Sequence, residues 1–263
     1  MSFQVLGVRV DAVQIPEVIA RMEAWIRIKD MPRTIAVTGM HGVTEAKRNP
    51  AVRQVINAAS LVVPDGMPLV WLGRWHGHAL KRRVYGPELM LAFCEQCQGE
   101  DYRHFFYGGA PGAADLLAAT LVRKFPRLIV AGTFCPPFRP LTAKEEAEII
   151  RTVRAAAPDV LWVGMSTPKQ ERWMHQFRDA LRVPVMVGSG AAFDLNTGRV
   201  SQAPAWMREH GLEWLFRLLA EPRRLWRRYL LRGPEFVWNV ALELLGMKKF
   251  DIPPETPQES PDL

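Results

Sequence analysis

Short apolar runs, most of them unbroken, recur along the chain. Six of them stand out: TIAVTG from 34, SLVVPDG from 60, HFFYGG from 104, RLIVAGTF from 127, VLWVGM from 160 and VPVMVGSG from 183. A strand that is buried on both faces has this continuous pattern, whereas a half-exposed strand alternates apolar and polar residues. The runs therefore predict an interior sheet of about six strands.

Helix-like stretches separate these runs. They read VTEAKRNPAVRQVINAAS, PELMLAFCEQC, PGAADLLAATLVRKF, TAKEEAEIIRTVRAAA and PKQERWMHQFRDAL. Strands that alternate with helices favour a parallel sheet with helices on both faces, and so we predict an α/β, Rossmann-like fold. The N-terminal stretch FQVLGVRVDAVQIPEVIARMEAWI predicts an edge hairpin or strand followed by an amphipathic helix.

The pattern changes near residue 200. The stretch SQAPAWMREHGLEWLFRLLAEPRRLWRRYLLRG has helical character, is aromatic and rich in arginine, and contains no convincing strand. Pro222 should interrupt or restart the helix there. We expect a Rossmann-like domain over 1–200, a helical appendage over 201–248, and a proline-rich, acidic, disordered tail over 249–263.

Composition and charge narrow the class of protein. The chain has 263 residues, of which 48% are hydrophobic, and carries a net charge of +7 with a pI near 9.6. This charge predicts an anionic partner: nucleic acid, nucleotide or a membrane surface. The chain shows no leader or membrane-spanning pattern, and its three cysteines are too few for a secreted disulfide framework. We therefore expect a cytoplasmic protein.

In the stretch VVPDGMPLVW, residues 62–71, a carboxylate directly follows an apolar strand. A carboxylate in that position is costly unless something uses it. In open α/β sheets, ligands bind in the crevice beyond the carboxyl ends of the strands. The rule predicts a single mouth lined by Thr38, Asp65, Gly108, Gly109, Gly164 and Gly188.

Metal and cofactor motifs are weak in this chain. Cys94 and Cys97 lie within a helix-like run and have no second cysteine pair, and no carboxylate cluster accompanies His76 and His78. The stretch GGAPGAA at 108 resembles a phosphate-holding turn but does not match GxGxxG. No DxD motif is present to hold a divalent cation on a diphosphate. We expect neither a metal nor a cofactor.

Five blocks carry a resemblance to a known family. Besides VVPDGMPLVW they are RRVYGPELM at 82, GMSTPKQERWM at 164, GSGAAFDLNTGRVSQAPAWM at 188 and GLEWLFRLLAEPRRLWRRYL at 211. From about residue 5 to 230 the chain resembles the WecG/TagA/CpsF bacterial glycosyltransferases, glycosyltransferase family 26. The resemblance implies inverting, metal-independent transfer of a sugar from a UDP-sugar to a polyprenyl (undecaprenyl) diphosphate-linked sugar in cell-surface polysaccharide synthesis.

The resemblance also implies roles for residues. Asp65 matches the aspartate proposed as general base, Arg83 an arginine that binds acceptor or donor phosphate, and Thr38 a threonine near the pocket. The other predicted contacts are His41, Gln170 and Glu171 for substrate, and Gly109, Asp194, Arg217, Arg224, Arg227 and Arg228 for UDP. Structural roles are the alternatives: Asp65 and Asp194 could cap helices, and the arginines could be solvent-exposed surface residues.

Two positions depart from the family pattern. The family commonly has asparagine two residues after Thr38, where this chain has Met40 followed by His41. Methionine cannot replace the donor and acceptor of an amide, and so His41 is the candidate substitute. Glu88 stands where the family often has aspartate. The donor sugar stays open among UDP-glucose, UDP-N-acetylmannosamine and its uronic acid.

The basic C-terminal stretch predicts where the protein works. Arg224, Arg227 and Arg228 are spaced i, i+3 and i+4, which would place them on one face of an α-helix among apolar and aromatic residues. A helix of this composition lies on an anionic bilayer, and so we expect a peripheral membrane protein. The resemblance implies that the membrane surface is the inner face of the bacterial cytoplasmic membrane. The same apolar appendage could pair two subunits in a homo-oligomer.

A non-catalytic basic module that binds membrane or nucleic acid through the C-terminal helix is the alternative. Nucleic acid is disfavoured, because the chain has no aromatic-studded nucleic-acid motif and no helix-turn-helix signature.

Overall fold

The computed structural model describes residues 1–252, apart from the side chains of Glu209 and Arg224. An antiparallel hairpin, β1 (Ser2–Val5) and β2 (Val8–Asp11), precedes a six-stranded parallel sheet. The strands of the sheet are β3 (Arg33–Thr38), β4 (Leu61–Pro64), β5 (Arg103–Gly108), β6 (Ile129–Phe134), β7 (Val160–Gly164) and β8 (Val185–Gly188). Their order is β4-β3-β8-β7-β5-β6. The predicted parallel α/β sheet is confirmed, with a strand at each of the six apolar runs.

Helices connect the strands. They are α1 (Ile15–Ile28), α2 (Met40–Arg48), α3 (Pro50–Asn57), α4 (Met67–Trp75), α5 (Gly86–Gln96), α6 (Ala113–Lys124), α7 (Ala143–Ala156), α8 (Lys169–Leu181) and α9 (Ala192–Asn196). Apolar residues of α1, α5, α6 and α9 cover one face of the sheet. The hairpin with α2, α3 and α4 covers part of the other face, and α7 and α8 cover the rest.

The predicted helix over 43–60 is two helices rather than one. The break falls at Asn49, whose side-chain oxygen accepts a hydrogen bond from the backbone nitrogen of Ala51 at 3.0 Å. Pro50 then begins α3. A proline has no N–H and suits the first turn of a helix, whereas inside a helix it would break the hydrogen-bond ladder.

The helices of the appendage are α10 (Ala205–Glu209), α11 (Glu213–Ala220), α12 (Pro222–Trp226) and α13 (Arg232–Leu244), with a π-helical segment, Arg227–Leu231, between the last two. Pro222 restarts the helix as predicted. From Arg227 to Leu231 the helix is π-helical, with i→i+5 hydrogen bonds, where an α-helix was predicted. That Arg224, Arg227 and Arg228 share one face stays a prediction. Within the described residues, none of the helices has the length and apolar character needed to cross a bilayer.

Helix α13 is docked on the sheet domain. Its Phe236 and Val240 are buried against the hairpin and α2. Arg232 pairs with Glu45 at 2.7 Å, and Glu235 pairs with Arg48 at 2.5 Å. The sequence pattern changes near residue 200, and α13, which lies beyond that point, packs back on the sheet domain.

The predicted tail begins later than residue 249. Phe250 is buried with the hairpin, and its carbonyl oxygen accepts a hydrogen bond from the Gln4 side chain. The rest of the predicted tail, residues 253–263, lies outside the described residues, and its disorder stays a prediction.

A buried histidine makes folding depend on pH. His104 of β5 is fully buried, and its Nδ1 accepts a hydrogen bond from Trp162 Nε1 at 3.1 Å. Burial lowers the pKa of His104 to about 4. The unfolded chain then binds more protons than the folded protein between pH 6.5 and 4, and stability falls as the pH falls through that window.

We expect the free energy of unfolding to drop by about 3 kcal/mol between pH 7 and 4 because of His104, with a further contribution from His41. Urea titrations across this pH range measure it. His104→Asn should flatten the dependence even though it lowers the overall stability. His76→Asn, which changes an exposed imidazole, is the matched control. An unchanged slope in His104→Asn would show that this residue is not the source.

Candidate active site

The crevice opens where neighbouring strands send their helices to opposite faces. Strand β3 leads into α2 on one face, and β8 leads into α9 on the other. The two strands are hydrogen-bonded neighbours, and so a gap forms beyond Thr38 and Gly188. This is the place where open α/β sheets bind ligands.

Asp65 stands at this mouth, in close backbone contact with the end of β3. Its N–H donates to the carbonyl oxygen of Thr38 at 2.8 Å. A side chain at Gly39 would place its Cβ 2.2 Å from the Asp65 carbonyl oxygen, so that only glycine fits there. The Asp65 side chain is partly buried, and beside it the Thr38 hydroxyl is buried with no hydrogen-bond partner among the described residues.

The end of β4, which precedes Asp65, also positions Arg83. The N–H of Val84 donates to the carbonyl oxygen of Pro64, the last residue of β4, at 2.9 Å. The Arg83 guanidinium lies over the Tyr85 ring, 4.0 Å from its centroid, and donates to Glu213 of α11. The Tyr85 hydroxyl donates to the same carboxylate at 2.8 Å. The appendage therefore supplies a buried acid that orients Arg83.

Opposing charges set the protonation of Asp65. Burial raises the pKa of Asp65, Arg83 lowers it, Glu213 raises it, and Arg228 and Arg217 lower it, with a net pKa of about 6. A carboxylate with a pKa near 6 is ionised at neutral pH and still basic enough to accept a proton. The arrangement suits a general base.

His41 faces the site in its neutral form. Burial and the charges of Arg228 and Arg232 lower its pKa to about 4. A neutral imidazole can both donate and accept hydrogen bonds, as an amide can. Met40, which stands where the family has asparagine, is among the apolar residues packed around α2, and Gly233 of α13 lies beside its methyl group. The departure at Met40 thus serves the contact between α2 and the appendage.

Gln170 and Glu171 lie at the start of α8 and are both buried. The Gln170 amide accepts from the Gly190 N–H at 3.0 Å and donates to Glu171 at 3.0 Å. Glu171 also accepts from the Thr167 hydroxyl at 2.9 Å, and burial raises its pKa. The pair holds the loop that follows β8. Direct contact between Gln170 or Glu171 and substrate stays a prediction.

Two of the predicted UDP contacts lie further along the crevice. Gly109 donates its N–H to Gly164 at 2.9 Å and has a φ of +78°, a conformation that favours glycine. It follows β5, four strand positions from β4, which is roughly 19 Å away. Asp194 lies in α9 beyond β8. Their roles in binding UDP stay predictions.

The predicted arginines separate in the structure. Arg217 and Arg228 lie close enough to Asp65 to lower its pKa. Arg227 is exposed, with its guanidinium 5.3 Å from the centroid of the Trp226 ring. The side chain of Arg224 lies outside the described part of the structure.

A cleft that sequence reasoning missed opens beside Arg83. Its volume is about 570 Å³. We call it the basic cleft, after the charged residues that line it: Arg74, Lys81, Arg82, Arg83, Arg208 and the single acid Glu88. The run Lys81–Arg83 was the available signal, whereas Arg74 and Arg208 come from distant positions in the sequence. In the part of the chain that the structure describes, no three His, Cys, Asp or Glu side chains are grouped so that they could hold a metal ion.

Comparisons with known proteins show the family of the chain. The family model described as glycosyl transferase WecG/TagA/CpsF matches residues 3–250. The chain belongs to this family. A relative from Bacillus spizizenii strain W23 is 32% identical over 196 residues, which cover 74% of each chain. Another, from Bacillus subtilis strain 168, is 26% identical over 201 residues, or 76% of each. Both are named N-acetylglucosaminyldiphosphoundecaprenol N-acetyl-beta-D-mannosaminyltransferase.

Membership of the WecG/TagA/CpsF family confirms the resemblance and makes the chain an enzyme, a glycosyltransferase that acts on a polyprenyl-linked sugar. The alternative of a non-catalytic binding module is thereby set aside.

The charges around Asp65 predict how its titration responds to mutation. Arg83→Gln should raise the pKa of Asp65 because it removes a cation, and Glu213→Gln should lower it because it removes an anion. NMR of ¹³C-labelled aspartate carboxyls measures both shifts, and an Asp65→Asn sample assigns the signal. A wild-type pKa near 4, or shifts in the same direction, would contradict this electrostatic arrangement.

Proposed function

We propose that the chain is an inverting glycosyltransferase that moves a sugar from a UDP-sugar to a polyprenyl diphosphate-linked sugar without a metal ion. The observation that carries this proposal is the partly buried Asp65 carboxylate at the crevice mouth, with a pKa of about 6, among three guanidinium groups. A base and a set of fixed cations are the two groups that such a transfer needs.

In the proposed transfer, bond formation, proton transfer and departure of UDP occur together. A hydroxyl oxygen of the acceptor sugar attacks the anomeric carbon of the donor while Asp65 takes the hydroxyl proton. The new carbon–oxygen bond forms on the face opposite the departing diphosphate, and so the configuration inverts. The bond from the anomeric carbon to the phosphate oxygen breaks, and its electron pair leaves with UDP.

Arginine side chains take the place of a divalent cation in this proposal. Negative charge grows on the diphosphate as UDP departs, and Arg217 and Arg228 supply fixed positive charge beside Asp65. A guanidinium is always protonated and can bind two phosphate oxygens at once, which suits it to a leaving group of this kind.

The names of the relatives support the acceptor class, a sugar diphosphate on undecaprenol, and N-acetylmannosamine as one donor sugar. Met40 has no amide where the family commonly has asparagine, and the neutral His41 that follows it is the candidate replacement. We keep UDP-glucose and the uronic acid of N-acetylmannosamine as further donors to be tested.

Asp65→Asn should lower kcat by at least about a hundredfold, because an amide cannot take the proton. Release of UDP from a panel of UDP-sugars, with a short-chain polyprenyl diphosphate-sugar as acceptor, measures the effect. Wild-type turnover should be the same with EDTA, and it should fall as the pH drops below about 6, where Asp65 is protonated. The exposed Asp101→Asn is the matched control. Full turnover in Asp65→Asn would refute the mechanism.

We also propose that the appendage rests on an anionic bilayer, at the inner face of the cytoplasmic membrane. Its exposed apolar side chains include Trp226, Leu230, Leu231, Val237 and Trp238. Exposed arginines accompany them on α12 and the π-helical segment. Apolar and aromatic groups beside arginine are typical of segments that lie in the headgroup region. Without a membrane, the same surface is a candidate contact between two copies of the chain.

Changing both Leu230 and Leu231 to serine should weaken binding to vesicles that contain anionic lipid by at least about tenfold, because two apolar side chains lose their burial. Vesicle flotation at low salt measures the bound fraction. The double variant Leu116→Ser/Phe138→Ser changes two exposed apolar residues outside the appendage and is the matched control. Equal losses in the two double variants would count against a membrane role for the appendage.

A further inference from the structure

We propose that the basic cleft binds the diphosphate of the acceptor lipid, so that acceptor and donor approach Asp65 from different sides. This inference rests on the proposed function and extends it to the placement of the second substrate. Four features of the described residues carry it: the charge of the cleft, the hydrogen-bonded backbone that bears this charge, the position of Arg83 in both the cleft and the surroundings of Asp65, and the exposed tryptophan that lines the cleft.

The cleft has a large excess of positive charge. Five of the side chains that line it are arginine or lysine, and the one carboxylate, Glu88, is paired with Arg208 at 2.5 Å. Lys81 and Arg82 are exposed at its surface. Such a surface favours a ligand with several negative oxygens, and a diphosphate has that character.

Arg74 fixes the backbone that carries this charge. Its Nε donates to the Leu80 carbonyl oxygen at 2.7 Å, and one of its terminal nitrogens donates to the Lys81 carbonyl oxygen at 2.8 Å. The segment that bears Lys81 and Arg82 is therefore tied to the end of α4. Across the cleft, the Nε of Arg208 is buried without a hydrogen-bond partner among the described residues.

Arg83 belongs both to the basic cleft and to the catalytic crevice. It lines the cleft and also lowers the pKa of Asp65. A diphosphate at Lys81 and Arg82 would thus project its attached sugar past Arg83 to the base. The donor side lies over β3, where Arg228 lowers the pKa of both His41 and Asp65.

One exposed tryptophan lines the cleft, and two more are chain neighbours of lining residues; they favour a lipid over a soluble anion. Trp71 lines it and is 50% exposed, and Trp75, one turn further along α4, is 74% exposed. Trp206, next to the lining residue Ala205, is 58% exposed. Tryptophan favours the boundary between water and hydrocarbon, where the diphosphate and first prenyl units of the acceptor lie.

Binding measurements with two probes test the placement independently of turnover. Changing both Lys81 and Arg82 to glutamine should weaken the binding of farnesyl diphosphate at least about tenfold and change the Kd of UDP less than about twofold. Arg217→Gln should do the reverse. The double variant Arg123→Gln/Lys124→Gln removes the same charge from an exposed pair on α6 and should change neither Kd. Isothermal titration calorimetry gives all the values.

Two results would overturn the inference. One is a loss of UDP binding, with farnesyl diphosphate unaffected, when Lys81 and Arg82 are changed. The other is inorganic diphosphate binding as tightly as farnesyl diphosphate with no effect of Trp71→Ala, which would make the cleft a plain anion site. In the transfer assay, the acceptor KM should rise and the donor KM should not. Absent turnover with intact farnesyl diphosphate binding would refute the proposed reaction and leave the cleft assignment standing.

Discussion

A carboxylate partly withdrawn from water, with three guanidinium groups and one buried acid around it, is the arrangement on which this site depends. Burial alone would favour a neutral Asp65, and the arginines alone would make it a weak base. These charges come from two distant parts of the chain: Arg83 follows the edge strand, and Glu213, Arg217 and Arg228 belong to the appendage. The pKa of Asp65 therefore depends on the position of the appendage.

The sheet and its crevice could be predicted because their causes are local. Strands buried on both faces need unbroken apolar runs, and ligand sites in open α/β sheets lie beyond the carboxyl ends of such strands. The break at Asn49 and Pro50 also has a local cause. It was missed because the helix-like pattern continues on both sides of it.

Contacts between distant residues could not be predicted. Arg83 and Glu213 are separated by 130 positions, and Glu88 and Arg208 by 120. Each is an exposed-looking charge in its own segment, and nothing in the local pattern says that the two meet. The π-helical segment was missed for a related reason, since the composition of Arg227–Leu231 suits an ordinary α-helix.

The closure of the chain on itself has a consequence for biosynthesis. Glu243, near the end of α13, accepts a hydrogen bond from the backbone N–H of Leu6 at 2.9 Å, across 237 positions. Phe250 packs on the same hairpin. The hairpin is synthesised before α13, and so this contact can form only after α13 has been made. Arg217 and Arg228 also follow the sheet in the chain, and so the cations around Asp65 are complete only after the segment that bears them has been synthesised and has docked.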